Sequence, residues 1–273
     1  MSRMSATETR RILKLQSIEK PPEVIDDKVA AESAVHIIIN GVHYVTIMCT
    51  PEKLHDLVAG HLLSEGIIDR LDQLIGTRIT DEYKCEATLA AELDLQERLS
   101  RATPFLRIVT SGCGTSVPSP FTKLTDRLMP LKIDCGIVFD ASAIQCAANA
   151  LNREASIYRC TGGVHAASIC TREGTPEHLA EDVGRHNAVD KVIGSCARGG
   201  HSFEERFLIS TGRLTGDIVL KAARVKIPVV ASISALITSG IDVAERTGVT
   251  AVGFVRGRRM NIYCHPERVC LSR

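Results

Sequence analysis

Tryptophan is absent from this 273-residue chain, and aromatic residues make up only 4% of it. That poverty removes the stacking platforms on which proteins seat single-stranded nucleic acid. Charge of one sign is lacking too, since 33 Lys and Arg stand against 32 Asp and Glu for a net charge of +1. No overall field draws in nucleic acid or a membrane surface, so any anionic ligand needs a local site. Long hydrophobic runs are missing: none is long and uninterrupted enough to span a bilayer. The stretch Met1 to Ala6 has no apolar core of the signal-peptide kind. A cytoplasmic location without membrane attachment is the expectation. Chelating pairs are missing as well. Neither Cys-x-x-Cys nor His-x-x-x-His occurs, so no metal site, zinc included, is expected.

What is present is ordinary in bulk, with 44% hydrophobic and 24% charged residues. The length supports one large domain or two smaller ones. Ten cysteines in a reducing compartment, where disulfides are rare, suggest metal or redox work, and the missing chelating pairs argue against the metal. Cys49, Cys146, Cys170 and Cys196 follow apolar or alanine-rich residues and are expected as small buried side chains. Cys113 is different. It lies in Ser111-Gly112-Cys113-Gly114-Thr115-Ser116-Val117-Pro118-Ser119-Pro120. The flanking glycines leave its sulfur little shielded and its backbone free to adopt unusual dihedrals. A reactive thiol and a passive turn residue are both compatible with that setting.

The pattern along the chain gives an α/β protein, α+β overall. Residues 1–30, with Pro21-Pro22, are expected as an extended lead-in, 31–125 as an α+β N-terminal domain and 126–273 as a C-terminal α/β domain. Two β-rich runs flank Asn40-Gly41, a hairpin signal. Thr50-Pro51-Glu52 predicts a helix start, with Thr50 as N-cap and an end at Gly66. His55 and His61 are expected on its surface or half-buried. Strands are expected near Ile75–Thr80, Cys85–Leu93 and Phe105–Thr110, with helices near Leu95–Arg101, Thr122–Leu128 and Ala141–Glu154, the last capped by Asp140. From Phe207 onward, strand and helix alternate at a spacing that predicts a parallel sheet with helical crossovers.

Three segments carry polar chemistry. The first joins Cys160-Thr161-Gly162-Gly163-Val164-His165 to Glu181-Asp182-Val183-Gly184-Arg185-His186-Asn187-Ala188-Val189-Asp190-Lys191. It packs acids, an arginine and histidines at a strand-to-helix junction, where α/β sheets bind ligands. Arg185 and the N–H groups of a helix start suit a phosphate or carboxylate, and His165 and His186 suit an acid, base or donor. A buried ion-pair and capping network that merely orders the junction is the plainer alternative. The second segment, Ser210-Thr211-Gly212-Arg213-Leu214-Thr215-Gly216-Asp217, is another such junction, without the Gly-Lys-Ser/Thr of a Walker loop. The third, Arg256-Gly257-Arg258-Arg259, fits either a pyrophosphate or a solvated turn.

These motifs, together with Gly253-Phe254-Val255-Arg256, resemble the FdhD family of formate dehydrogenase accessory proteins, from about residue 35 to the C-terminus. The resemblance implies a cytidine deaminase-like C-terminal domain, a smaller N-terminal domain and a homodimer. It also implies a sulfur carrier. Such a protein takes persulfide sulfur from a cysteine desulfurase and passes it to the bis-molybdopterin guanine dinucleotide molybdenum cofactor, before that cofactor enters formate dehydrogenase. By this similarity Cys113 takes the place of the persulfide-forming cysteine, and Phe254, Val255, Arg256, Gly257, Arg258 and Arg259 take the cofactor-contacting place. A guanine nucleotide such as GDP would mimic part of that cofactor. The family loop reads Cys-x-x-Cys, whereas this chain has Ser116 at the second position.

Combining the resemblance with the residues, Arg213, Thr215, Gly162, Gly163, His165, Glu181, Asp182, Arg185 and His186 are expected to shape the cofactor pocket. The activity expected is that of a sulfurtransferase. The zinc ligands and glutamate of deaminases have no counterpart, so deamination is not expected. Two alternatives stay open on the sequence: a cofactor-binding chaperone that transfers no sulfur, and a thiol-dependent nucleotide hydrolase.

Overall fold

A computed structural model describes residues 5–80, 83–98 and 131–271. Cys113, Ser116, the expected strand Phe105–Thr110 and the expected helix Thr122–Leu128 lie outside the described residues.

Strands β1 (Thr7–Lys14) and β2 (Glu23–Ala30) pair with each other as an antiparallel arm. Its register sets Arg10 opposite Asp27, Arg11 opposite Asp26 and Lys14 opposite Glu23. Opposite charges facing one another across the strands favour this pairing.

Strands β3 (Ser33–Ile39), β4 (Val42–Cys49), β5 (Leu74–Ile79) and β6 (Lys84–Leu89) form a sheet of order β4-β3-β6-β5. The β3–β4 hairpin turns at Asn40 and Gly41, both at positive φ, as the Asn-Gly signal predicts. Strand β6 stops at Leu89, short of the expected Leu93, and residues 95–98 are helical. Helix α1 (Leu54–Ser64) begins three residues later than the Thr50 cap predicts, with Lys53 in the left-handed region. Thr50 is unavailable as a cap because its groups bond across the molecule: its N–H donates to Asp182 at 3.0 Å and its hydroxyl accepts from Val183 N–H at 3.2 Å. The helix end at Gly66 is as expected, with φ +73.

The remaining strands are β7 (Phe139–Asp140), β8 (His165–Cys170), β9 (Pro176–Asp182), β10 (Phe207–Ser210), β11 (Val229–Ser232), β12 (Thr250–Arg256), β13 (Arg259–Cys264) and β14 (Val269–Cys270). The six from β8 to β13 form a sheet of order β13-β12-β11-β10-β8-β9. Strands β10, β11 and β12 run parallel, as the alternating pattern requires, and antiparallel strands close both edges. The helices are α2 (Ala141–Glu154), α3 (Ser156–Thr161), α4 (Arg185–Arg198), α5 (Gly216–Arg224) and α6 (Thr238–Thr247).

Alternation along the strands divides the core. Leu208, Val230 and Ala251 face a cluster shared with α4, α5, α6 and α1; Phe207, Ile209, Val229, Ala231 and Val252 face a second cluster under α2. This two-sided burial explains why the parallel strands read as unbroken apolar runs. Helix α2 spans the expected residues, and the Asp140 carboxylate accepts from Ser142 N–H at 2.7 Å. Cys146 is exposed, contrary to expectation, because it shares the solvent stripe of α2 with Ser142 and Asn149. Cys49, Cys170 and Cys196 are buried as expected, and burial pushes each thiol up to about 12. Buried thiols held this far from ionisation are poor nucleophiles.

Helices α1 and α4 cross closely. A Cβ built on Gly60 would stand 1.7 Å from the Asp190 carbonyl oxygen, and one on Gly194 would stand 1.9 Å from that of Asp56. This crossing seats the four-stranded sheet and α1 over the six-stranded sheet. Among the described residues no helix is long and apolar enough to cross a membrane.

Candidate functional site

The strand-to-helix junctions predicted from sequence lie side by side. Strand β9 runs through Asp182 into α4, and β10 runs through Gly212 into α5. Gly212 is required by the contact between them, because a Cβ there would come within 2.9 Å of Arg185 Cβ and 3.1 Å of Arg185 Cδ. The stem of Arg185 therefore lies across the Gly212 backbone. Its Nε is buried and has no hydrogen-bond partner.

Ser232 carries the link onward. Its hydroxyl donates to Gly212 O at 2.6 Å and accepts from Ser234 N–H at 2.9 Å. Phe254 N–H in turn donates to Ser234 O at 2.9 Å. All three polar segments are thus tied at the carboxyl ends of β10, β11 and β12. Phe254 holds a left-handed φ of +53, a conformation uncommon for a bulky residue. The Arg256 guanidinium lies 5.8 Å from the Phe254 ring centroid, and its Nε donates to Ile233 O at 2.7 Å. Val255 is buried, whereas Arg256, Gly257, Arg258 and Arg259 are exposed in the β12–β13 turn.

Positive charge gathers here. Burial lowers the pKa of half-buried His165, and Arg185, His186 and Arg213 lower it further. Its Nδ1 lies 3.4 Å from the Thr211 hydroxyl, which also accepts from Ala166 N–H at 3.0 Å. Arg213 is exposed. A neutral imidazole beside two guanidinium groups is a setting for an anionic group with several oxygens.

The acids of the first segment turn inward. The Glu181 carboxylate accepts from Ile157 and Tyr158 N–H at 3.0 and 2.7 Å, and so caps α3. Gly162 closes that helix with φ +65, and Gly163 packs near Ala30 of the β1–β2 arm. Asp182 is fully buried against Lys191 at 2.6 Å and accepts from Thr50, Gly184 and Asn187. Lys191 also donates to Thr50 O at 2.8 Å. The plainer alternative, an ordering network, therefore describes Glu181 and Asp182, while Arg185, His186 and Arg213 gather around His165.

His186 reaches the other way. Its Nε2 shares a 2.5 Å contact with Asp217 Oδ2, while Asp217 Oδ1 accepts from the Thr215 hydroxyl and from Ile218 N–H. Thr215 is the N-cap residue of α5, buried at the rear of the site. One helical turn deeper, Asp190 meets Lys221 at 2.9 Å and His61 Nδ1 at 2.9 Å. His61 is buried, rather than at the surface or half-buried position expected, and its Nε2 has no hydrogen-bond partner. Burial raises the Asp190 carboxyl, but Lys221 and His61 more than offset this and hold it far below the usual carboxylate range. Both pairs line a cavity of about 270 Å³ between β4, α1, α4 and α5. Sequence spacing on a single helix does carry a trace of it: His186 and Asp190, like Asp217 and Lys221, stand four residues apart on one face.

The FdhD/NarQ family profile matches residues 30–270. The chain belongs to the FdhD/NarQ family. Sulfur carrier protein FdhD of Methanothermobacter thermautotrophicus is 35% identical over 246 residues, covering 90% of this chain and 92% of that protein. Sulfur carrier protein FdhD of Shouchella clausii is 34% identical over 271 residues, covering 97% of each chain. A crystal structure from Desulfotalea psychrophila, described as a formate dehydrogenase accessory protein, superposes with a TM-score of 0.77. It covers 97% of this chain and 100% of that one at 23% identity, a likeness of fold. The mixed α/β architecture expected of an FdhD/NarQ protein is the one observed, and nothing among the described residues contradicts a cytidine deaminase-like description.

Proposed function

We propose that this protein is a sulfur carrier acting in formate dehydrogenase maturation. Cys113 accepts sulfane sulfur from a cysteine desulfurase: its thiolate attacks the outer sulfur of the donor persulfide, and the donor cysteine leaves as a thiolate. The sulfur then passes to the bis-molybdopterin guanine dinucleotide molybdenum cofactor, which is the substrate. The activity is sulfur transfer, not deamination, and it takes place in the cytoplasm.

The observation that carries this reading is the junction of His165, Arg185, His186 and Arg213, joined through Ser232 and Ser234 to the Phe254–Arg259 turn. Its charge suits the pyrophosphate of a guanine nucleotide, and GDP would occupy it as a mimic. Exposed Leu13, Leu15, Ile18 and Val24 on the β1–β2 arm support a homodimer.

Ser116 favours a second reading, a chaperone that binds the cofactor without transferring sulfur. Mass spectrometry after incubation with desulfurase and cysteine separates the two. Gain of one sulfur atom at Cys113, and loss of formate dehydrogenase maturation in Cys113→Ala, are the expected outcomes. Cofactor binding without sulfur uptake, or full maturation in Cys113→Ala, would leave only the chaperone.

A further inference from the structure

A second cluster lies away from the anion site, where the start of edge strand β9 meets the loop after α4. His178 Nε2 and His201 Nδ1 stand 2.9 Å apart, with ring centroids at 5.1 Å. Glu177 Oε2 lies 4.0 Å from His201 Nδ1, and one donor atom from each of the three residues falls within 4.8 Å of the others.

The loop is built to hold this arrangement. Gly199 packs on the His178 ring, where a Cβ would meet Cε1 at 3.3 Å, and Gly200 takes a left-handed φ of +72. His201 N–H donates to Cys196 O at 3.2 Å, which fixes the backbone that presents the ring. His178 Nδ1 lies 3.0 Å from the Ser195 hydroxyl. When Nδ1–H donates to that hydroxyl, Nε2 is left as a lone pair directed at His201. A partner on the second ring nitrogen is what fixes the tautomer of metal-binding histidines.

The geometry points to a site for a divalent transition-metal ion of the zinc, nickel or copper class, held by Glu177, His178 and His201. Two imidazoles and a carboxylate are the donors such ions prefer. Nitrogen ligands of a tetrahedral zinc stand about 3.3 Å apart, so the two rings need only separate by a few tenths of an ångström. Ion entry replaces the hydrogen bond between the rings, and the His201 proton moves from Nδ1 to Nε2. Arg206 opposes the ion, because its Nε holds Glu177 Oε2 at 2.5 Å. The ion would clamp β9 to the loop after α4 and leave the anion site untouched.

Cobalt(II) titration of the full chain tests the site, with absorption spectra separating nitrogen and oxygen ligands from thiolates. One ion per chain without a thiolate charge-transfer band is expected. His201→Ala, in an exposed loop, should lower that affinity at least ~10-fold, and His178→Gln should do the same. Unchanged affinity in both variants, each folded by circular dichroism, would overturn the site. So would a thiolate band accounting for all bound cobalt.

Discussion

His186 Nε2 stands 2.5 Å from Asp217 Oδ2, and this contact joins the first turns of α4 and α5. Asp190 and Lys221 repeat the join one turn deeper. The starts of α4 and α5 are therefore held at a fixed separation by polar contacts as well as by apolar packing.

That arrangement predicts acid sensitivity. Burial raises the Asp217 carboxyl, but the His186 contact and the Thr215 hydroxyl hold it well below its ordinary value, as Lys221 and His61 do for Asp190. Groups with a depressed folded pKa stabilise above the unfolded value, about 3.9 for aspartate, and lose that stabilisation as pH falls toward the folded value. Urea unfolding followed from pH 6 to pH 3 should show stability dropping below about pH 4. In the double variant Asp190→Asn, Asp217→Asn this drop should be shallower; an unchanged slope would remove these two groups from the account.

Removing one half of the Asp182–Lys191 pair should be costly. Both side chains are fully buried, and Lys191→Met leaves a buried carboxylate without its cation. Loss of about 3–5 kcal/mol is expected in chemical denaturation. Arg78→Ala breaks the exposed pair with Glu86 and should cost no more than about 1 kcal/mol.

Gly212→Ala should damage the site more than the fold. The added Cβ meets Arg185 Cβ at 2.9 Å and Cδ at 3.1 Å, so the start of α4 must give slightly while the outer side chain of Arg185 moves aside. Stability should fall by about 1–3 kcal/mol at most. GDP affinity, measured by calorimetry, should fall at least ~10-fold as the guanidinium is displaced, if one charged contact of about 1.5–3 kcal/mol is lost.

Gly194→Ala tests the helix crossing. Its Cβ would meet backbone, the Asp56 carbonyl at 1.9 Å, which cannot rotate away. The variant should unfold at markedly lower denaturant than Gly212→Ala, by more than the ~1–3 kcal/mol of ordinary overpacking. Equal midpoints would mean the crossing can relax.

The sequence by itself determined the elements whose signals are local. The Asn40-Gly41 turn, the Asp140 cap of α2, the end of α1 at Gly66, and the parallel β10, β11 and β12 all follow from residues a few positions apart. It also carried the family motif and the three polar segments. Tertiary structure decided what depended on distant partners. Thr50 left its capping role because its groups bond to Asp182 and Val183, more than 130 positions away. His61 became buried because α1 crosses α4 at Gly60 and Gly194 and brings it to Asp190. Strands β1 and β2 became an arm because each charged strand found its complement in the other. Glu181 and Asp182 look like ligand groups in sequence, yet the fold spends them on capping and on a buried ion pair. A carboxylate is legible in sequence; which cation or N–H satisfies it is settled only when burial makes an unpaired charge too costly to leave.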